Sequence, residues 1–408
     1  MPSIEGKVAE IVLKKIRGQN SAPDNGSTAA KRNVTDPKSV TVREARFSDF
    51  ESVRALNSRL GQGPDSLANW QRLWVENPSL ESHNDTLAIG WVLESSHEVV
   101  GFLGSVPLQY EFGGSTLRTA ATCRFAVETG YRAFSHLLVA SFLRQQNVDL
   151  FLNTTATVAA GKIMAALQAA PLPQPDYGTV LFWVLNPSRF AEGVLKKVGI
   201  KSPFVKPGSA IVSLALQGDL SIRRRKPQAT AGSYSTREES PREIGGEFDE
   251  LWSCYSSGAS ILWAKRTREI MHWHFDPPEN RRRTVFLSCR LGARLVGYIA
   301  VRHEPPSAEP IRRSLVADLI VPDDNSEVIE HLLAAACASA GTAGCDVLEV
   351  MGFPEKIRKV FLKWKPYIRQ YPAQPFFFKA RDKNLHQALL NKDAWYACPY
   401  DGDGTLWP

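Results

Sequence analysis

The residues best suited to chemistry cluster in Val127 to His136, VETGYRAFSH. A carboxylate (Glu128), a phenol (Tyr131), a guanidinium (Arg132) and an imidazole (His136) share this short stretch. Together such groups can move protons and hold an anion. Other candidates are weaker. His272 and His274 in MHWHF have metal-ligand types, but no further Cys or His clusters with them to complete a zinc set. Asp401 and Asp403 in YDGDG suggest a calcium loop that lacks its downstream bidentate Glu, so a solvated turn is expected. The chain carries no GxSxG, P-loop or HExxH pattern, which removes the common hydrolase, nucleotidase and zinc-peptidase chemistries. No metal site is expected.

The elements around VETGYRAFSH explain its placement. LRTAATCRFAV, ending at Val127, alternates as a strand, and AFSHLLVASFLRQQ has helical spacing. The chemical residues therefore sit where a strand turns into a helix. Upstream, VTVREARFSDFESVRALNSRL reads as strand then helix, and LANWQRLWVENP as a helix stopping at Pro78. LAIGWVLES and EVVGFLGSVPLQYEF form a hairpin across a short polar turn. Downstream come the apolar strand VDLFLNTT, the helix TVAAGKIMAALQAA and the strand TVLFWVL.

A second pass repeats this order. TVFLSCRLGARLVGYIAVRH matches LAIGWVLESSHEVVGFLGSV as strand, polar turn and Val-Gly-aromatic strand. RRSLVADLIVP, NSEVIEHLLAAACASAGTAG, CDVLEVMGF, PEKIRKVFLKWK and QPFFFKA follow as strand, helix, strand, helix and strand. That is a duplication at domain scale. The expected fold is α/β (α+β), with two tandem domains, each a mostly antiparallel central sheet flanked by helices. Residues 1–39 read as an amphipathic helix and flexible linker, 40–225 as the first domain, 226–247 as a polar linker and 248–408 as the second domain.

With 408 residues the chain is long enough for two cores. The six cysteines are scattered singly, which suits a reducing cytoplasm. No apolar run approaches a membrane span, and the first residues lack the centre of a signal peptide. The formal net charge is +7, part of it in Arg223–Lys226 and Arg281–Arg283. Such runs can meet nucleic acid, but no stacking aromatics or recognition helix accompany them. They would equally attract a polyanionic co-substrate.

The first half resembles the GCN5-related N-acetyltransferase (GNAT) superfamily over about residues 40–187, and the second half looks like a degenerate copy over about 248–382. The likeness is closest to tandem-domain bacterial members, carried by Glu76-Asn77-Pro78, Gly90 to Glu94, Val99 to Leu108, and Tyr131-Arg132 before Leu137-Leu138. The resemblance implies that acetyl-CoA or another acyl-CoA pairs with Ala121–Val127, including Phe125, Ala126 and Val127. Its pyrophosphate would then lie on a loop from Gly130 to His136, touching Arg132, Ala133 and Ser135, with Asn153 on a cofactor amide; a turn-capping asparagine is the alternative for Asn153. Ser135 and Leu137 stand where the family's loop glycines would be, and Met164 where its acid tyrosine often sits. Glu128 is then the candidate base, with Tyr131 and His136 as proton relays; a surface ion pair is the alternative for Arg132. In the second half, Asp323 and Asp324 at the corresponding loop would repel a pyrophosphate and fit a helix N-cap region.

The implied activity is acyl transfer to a small-molecule amine in the cytoplasm. Two alternatives are a Fem-like transferase using aminoacyl-tRNA, and an inactive scaffold that binds a ligand or partner.

Overall fold

The computed structural model describes residues 40–62, 65–81, 87–200, 202–223, 225, 227–228, 233–256, 260–305, 309–371 and 375–407. The helix and linker expected over 1–39 lie outside the described residues.

The first half runs β1 (Val40–Glu44), α1 (Phe50–Arg59), α2 (Leu67–Trp74), β2 (Gly90–Ser95), β3 (Glu98–Phe112) and β4 (Ser115–Val127). It continues with α3 (Ser135–Leu143), β5 (Leu150–Asn153), α4 (Val158–Ala166), β6 (Ala170–Pro171) and β7 (Thr179–Val184). A helical hairpin follows, α5 (Pro187–Lys197) and α6 (Ser202–Ile222). The second half begins with β8 (Tyr234–Glu239), α7 (Glu247–Ser256), β9 (Trp263–Ala264), α8 (Arg268–Phe275) and α9 (Pro278–Arg281). Then come β10 (Thr284–Leu291), β11 (Arg294–His303), β12 (Arg313–Ile320), α10 (Ser326–Thr342) and β13 (Val347–Val350). It closes with α11 (Glu355–Lys363), β14 (Tyr367–Gln370), β15 (Phe377–Ala380) and α12 (Lys383–Ala388).

Two mixed sheets result. The first has the order β1-β2-β3-β4-β5-β15-β6, with β9 on β3, and the second β14-β7-β13-β12-β11-β10-β8. Each contains one parallel pair, β4–β5 and β12–β13, and is otherwise antiparallel. Alternation along β3 and β4 explains why the first sheet is covered on both sides. Phe102, Val106, Tyr110, Ala121 and Cys123 face the core shared with the second half, while Leu103, Ala120 and Phe151 face a smaller cluster with Leu138 of α3 and Met164 of α4.

The halves exchange strands. β7 leaves the first half to lie between β13 and β14, antiparallel to both. β15 leaves the second half to pair with β5, Phe377 opposite Asn153. Gly161 of α4 makes room for it: an added Cβ would lie 2.9 Å from the Phe377 ring. Each sheet is therefore completed by the other half, and no cut between 225 and 247 would separate them. Part of the stretch expected to be linker is β8, an edge strand on β10. Its sequence YSTREE is polar because one edge and much of its surface face water.

Candidate acyl-donor wedge and interdomain cleft

β4 and β5 pair only from Thr119 to Ala121 against Leu150 to Leu152, and then part. Near the opening, β4 bulges at Arg124, whose φ of +49° is uncommon outside glycine. Three contacts hold it: a 2.6 Å ion pair with Asp65, a 3.0 Å bond from Nη1 to the Gln62 carbonyl, and the Trp407 ring with its centroid 4.0 Å from the guanidinium carbon. On the side facing β3, Ala126 opposes Phe102 and Val127 opposes Gly101. The Phe125 carbonyl accepts from Gln62 Nε2 at 3.2 Å. Among the described residues, no backbone group from the direction of β5 bonds to β4 beyond Ala121. Asn153, buried, forms the opposite lip of the wedge.

The expected phosphate loop is a ramp instead. Thr129–Phe134 forms a 3₁₀ helix that runs directly into α3. The Tyr131 amide donates to the Glu128 carbonyl and the Ser135 amide to the Arg132 carbonyl, so those two are spent internally. With few glycines the chain follows its helical preference here rather than opening as a loop. The amides of Thr129 and Gly130, at the start of the ramp, have no backbone partner among the described residues.

The side chains of this junction point to different tasks. The Glu128 carboxylate is 2.8 Å from the Arg59 guanidinium, tying the end of α1 to the end of β4. Tyr131 packs on the α3 side of the sheet, its hydroxyl 3.4 Å from Ser95 Oγ. His136 is exposed, with Nδ1 2.9 Å from the Ala133 carbonyl. Gly130 and Ala133 are exposed and Ser135 is buried. Arg132 is exposed and has no ion-pair partner among the described residues. None of these residues lines the cleft between the halves.

That cleft, of about 790 Å³, is walled by Thr154 and Thr155 after β5, by Gln174 and Tyr177, and by Glu349 and Asp401 from the second half. YDGDG is not a solvated turn: Asp401 and Asp403 are only 1% and 5% exposed. Gly402, at φ +93°, lies so close to Thr154 that a Cβ would sit 2.2 Å from its methyl. Asp403 accepts from Thr154 Oγ1 at 2.7 Å and, with both oxygens, from Thr155 Oγ1 at 3.0 Å. Asp401 accepts from the Cys398 amide at 2.8 Å and the Ala264 amide at 3.2 Å. It also faces Arg266, a fully buried guanidinium whose Nε donates to both oxygens of Asp318 at 2.9 and 3.0 Å. Burial pushes both Asp401 and Asp403 above the usual carboxylate range.

For Asp403, the loss of hydration outweighs the two threonine hydroxyls and the nearby Arg124, all of which favour the charged form. Burial likewise pushes the Tyr177 phenol well above its ordinary value, so it stays protonated. The histidines of MHWHF are structural. His274, buried, bonds Thr405 Oγ1 at 2.8 Å and is pushed well below its ordinary value by burial, and His272 Nε2 lies 3.2 Å from the Ile244 carbonyl. No group of three metal-ligating side chains occurs among the described residues.

The second sheet repeats the wedge with a different filling. β12 and β13 pair from Arg313 to Leu315 against Val347 to Glu349 and then part. Residues 396–400 occupy the opening: the Tyr400 amide donates to the Ala317 carbonyl at 2.9 Å, and the Phe353 amide to the Ala397 carbonyl at 2.7 Å. The Tyr396 hydroxyl bonds the Leu319 carbonyl. Asp323 and Asp324 form a turn at positive φ before α10, but the cap is Asn325, whose side chain accepts from the Glu327 and Val328 amides.

The sequence reading missed Thr154, Thr155 and Tyr177, and misplaced Asp401 and Asp403. A signal was present: YDGDG is flanked by AWYACP and TLWP, too rich in aromatics for a solvated turn.

No family model and no curated protein matches the chain. Solved structures do. A GCN5-related N-acetyltransferase from Anabaena variabilis aligns with TM-score 0.53 at 10% identity, over 84% of this chain and 73% of that one. A probable N-acyltransferase from Enterococcus faecalis aligns with TM-score 0.54 at 8% identity, over 84% and 72%. N-myristoyltransferase from Saccharomyces cerevisiae, solved with bound myristoyl-CoA, aligns with TM-score 0.52 at 12% identity, over 93% and 94%. The fold is thus the GNAT fold that the sequence resemblance implied.

Proposed function

We propose that the protein transfers an acyl group from an acyl-CoA to an amine, with the donor on the first half and the acceptor in the cleft between the halves. One observation carries the reading: beyond Ala121 the edge of β4 that faces β5 has no backbone partner among the described residues, whereas the matching edge of β12 is taken by residues 396–400. A free edge can pair with the amide-rich pantetheine arm as with an added strand. Phe125, Ala126 and Val127 would hold that arm, with Asn153 across the wedge. The amides of Thr129 and Gly130, without a backbone partner among the described residues and at the positive end of the ramp, fit a pyrophosphate together with Arg132. Solved structures with this fold include N-acyltransferases, which supports the same reading.

The transfer forms a C–N bond and breaks the C–S bond; the amine loses a proton and the departing thiolate gains one. Thr155 Oγ1, on the cleft wall, can take the amine's proton while passing its own to Asp403. Burial strengthens Asp403 as that acceptor. Tyr177, on the same cleft, carries a phenol proton that can pass to the departing thiolate. Glu128 remains the alternative base, although Arg59 already holds its carboxylate.

Calorimetric titration with acetyl-CoA and a longer acyl-CoA tests the donor site. Micromolar binding, about −8 kcal/mol, is expected. Arg132→Glu should weaken it by about tenfold or more, through loss of a charge-assisted phosphate contact. Absence of binding to either donor overturns the acyl-CoA reading and leaves the aminoacyl-tRNA-dependent transferase and the scaffold as the readings to separate.

A further inference from the structure

The α5–α6 hairpin lies outside the wedge, and its composition is unlike the rest of the chain. Residues 187–226 hold nine Lys or Arg against two acids, a net +7 that equals the formal net charge of all 408 residues. The rest of the chain is therefore neutral overall. α6 is also apolar on two faces. Val205, Val212 and Leu216 are buried in a cluster shared with α5, β7 and β14, while Ile211, Leu214 and Ile222 point outward at 46%, 69% and 85% exposure. A helix with apolar residues on its outer face needs something to cover it.

The spacing of 211, 214 and 222 makes one stripe along α6. Val198 and Ile200, exposed in the turn before it, extend the apolar surface. Exposed lysines, Lys196, Lys197 and Lys206, flank one end and Arg223 the other. We propose that this stripe is a docking surface for an anionic lipid bilayer. An apolar band between basic ends is the pattern of a helix lying in the interface, its apolar side chains among the acyl chains and its cations at the headgroups. No described helix is long and apolar enough to cross a membrane, so α6 lies on the surface while its inner face stays on the protein. A second copy fits poorly. Pairing two stripes in either direction sets basic ends against basic ends.

Docking of this kind does not depend on the acyl-transfer reading, although Lys197 also lines the interdomain cleft and so places that cleft beside the docked surface. Flotation of the full chain with vesicles tests it. Binding to phosphatidylcholine–phosphatidylglycerol vesicles is expected, with little binding to phosphatidylcholine alone and release by salt. The double variant Leu214→Glu/Ile222→Glu should reduce binding by about tenfold or more without lowering the melting temperature, since both side chains are exposed. Lys206→Glu should weaken binding to the anionic vesicles only. Failure to float with anionic vesicles, or equal flotation of the double variant, overturns the proposal. A dimer in sedimentation equilibrium that the double variant dissociates would also overturn it, assigning the stripe to a second copy.

Discussion

The two wedges share a topology and differ in what fills them. In each sheet a central strand pairs in parallel for three residues and then separates from its neighbour. In the second sheet the freed edge is bonded by residues 396–400, and the charge network below is closed by Arg266, Asp318 and Asp401. In the first sheet that edge has no backbone partner among the described residues, and the same tail places Asp403 beside Thr154 and Thr155. One segment thus closes one copy of the wedge and supplies a carboxylate to the other. Duplication provides two similar frames, and a few residues of tail decide which remains available to a ligand.

The largest effect should come from breaking the closed wedge. Arg266→Met leaves Asp318 and Asp401 buried without their cation, which costs about 3–5 kcal/mol. Urea denaturation should show the loss directly. Full stability in this variant would mean that the triad does not hold the tail in place.

A smaller effect should mark the open wedge as the working one. Asp403→Asn should lower turnover by about a hundredfold while leaving acyl-CoA affinity unchanged, as expected for a proton acceptor that does not touch the donor. Glu128→Gln should leave turnover close to the parent's. The reverse pattern, with Glu128→Gln the slower variant, would return the base to the end of β4.

Local pattern made much of this legible. β2, β3 and β4 are runs of apolar, aromatic and β-branched residues broken by short polar turns, and α3 and α4 have helical spacing, so each could be read from its own residues. The strand exchange could not. β7 and β15 are short apolar runs that would fit either sheet, and periodicity does not name a pairing partner. β8 has the polarity of a linker because it is an edge. The candidate site divides in the same way. Glu128, Tyr131, Arg132 and His136 are neighbours in sequence, but at this junction they face different surroundings. The pair that meets at the cleft, Thr154 and Asp403, is 249 residues apart. Only the path of the tail, which local pattern does not encode, brings them together.

The smallest effect is a pH dependence that tests the environment of Asp403 without a catalytic assay. Burial raises its native proton affinity above that of the unfolded chain, so the native state binds more protons between the two values. Its contribution to stability is therefore complete below the ordinary carboxylate value and is lost as pH rises through the native value. Asn at this position cannot ionise and lacks that loss. Relative to the parent, Asp403→Asn should gain stability between about pH 4 and about pH 7, read as a shift in urea midpoint. Asp401, also raised by burial, remains in both proteins and cancels in the difference. A difference that is the same at both pH values would mean that Asp403 binds its proton equally well in the native and unfolded chains, so that burial would not strengthen it as the acceptor of the amine's proton.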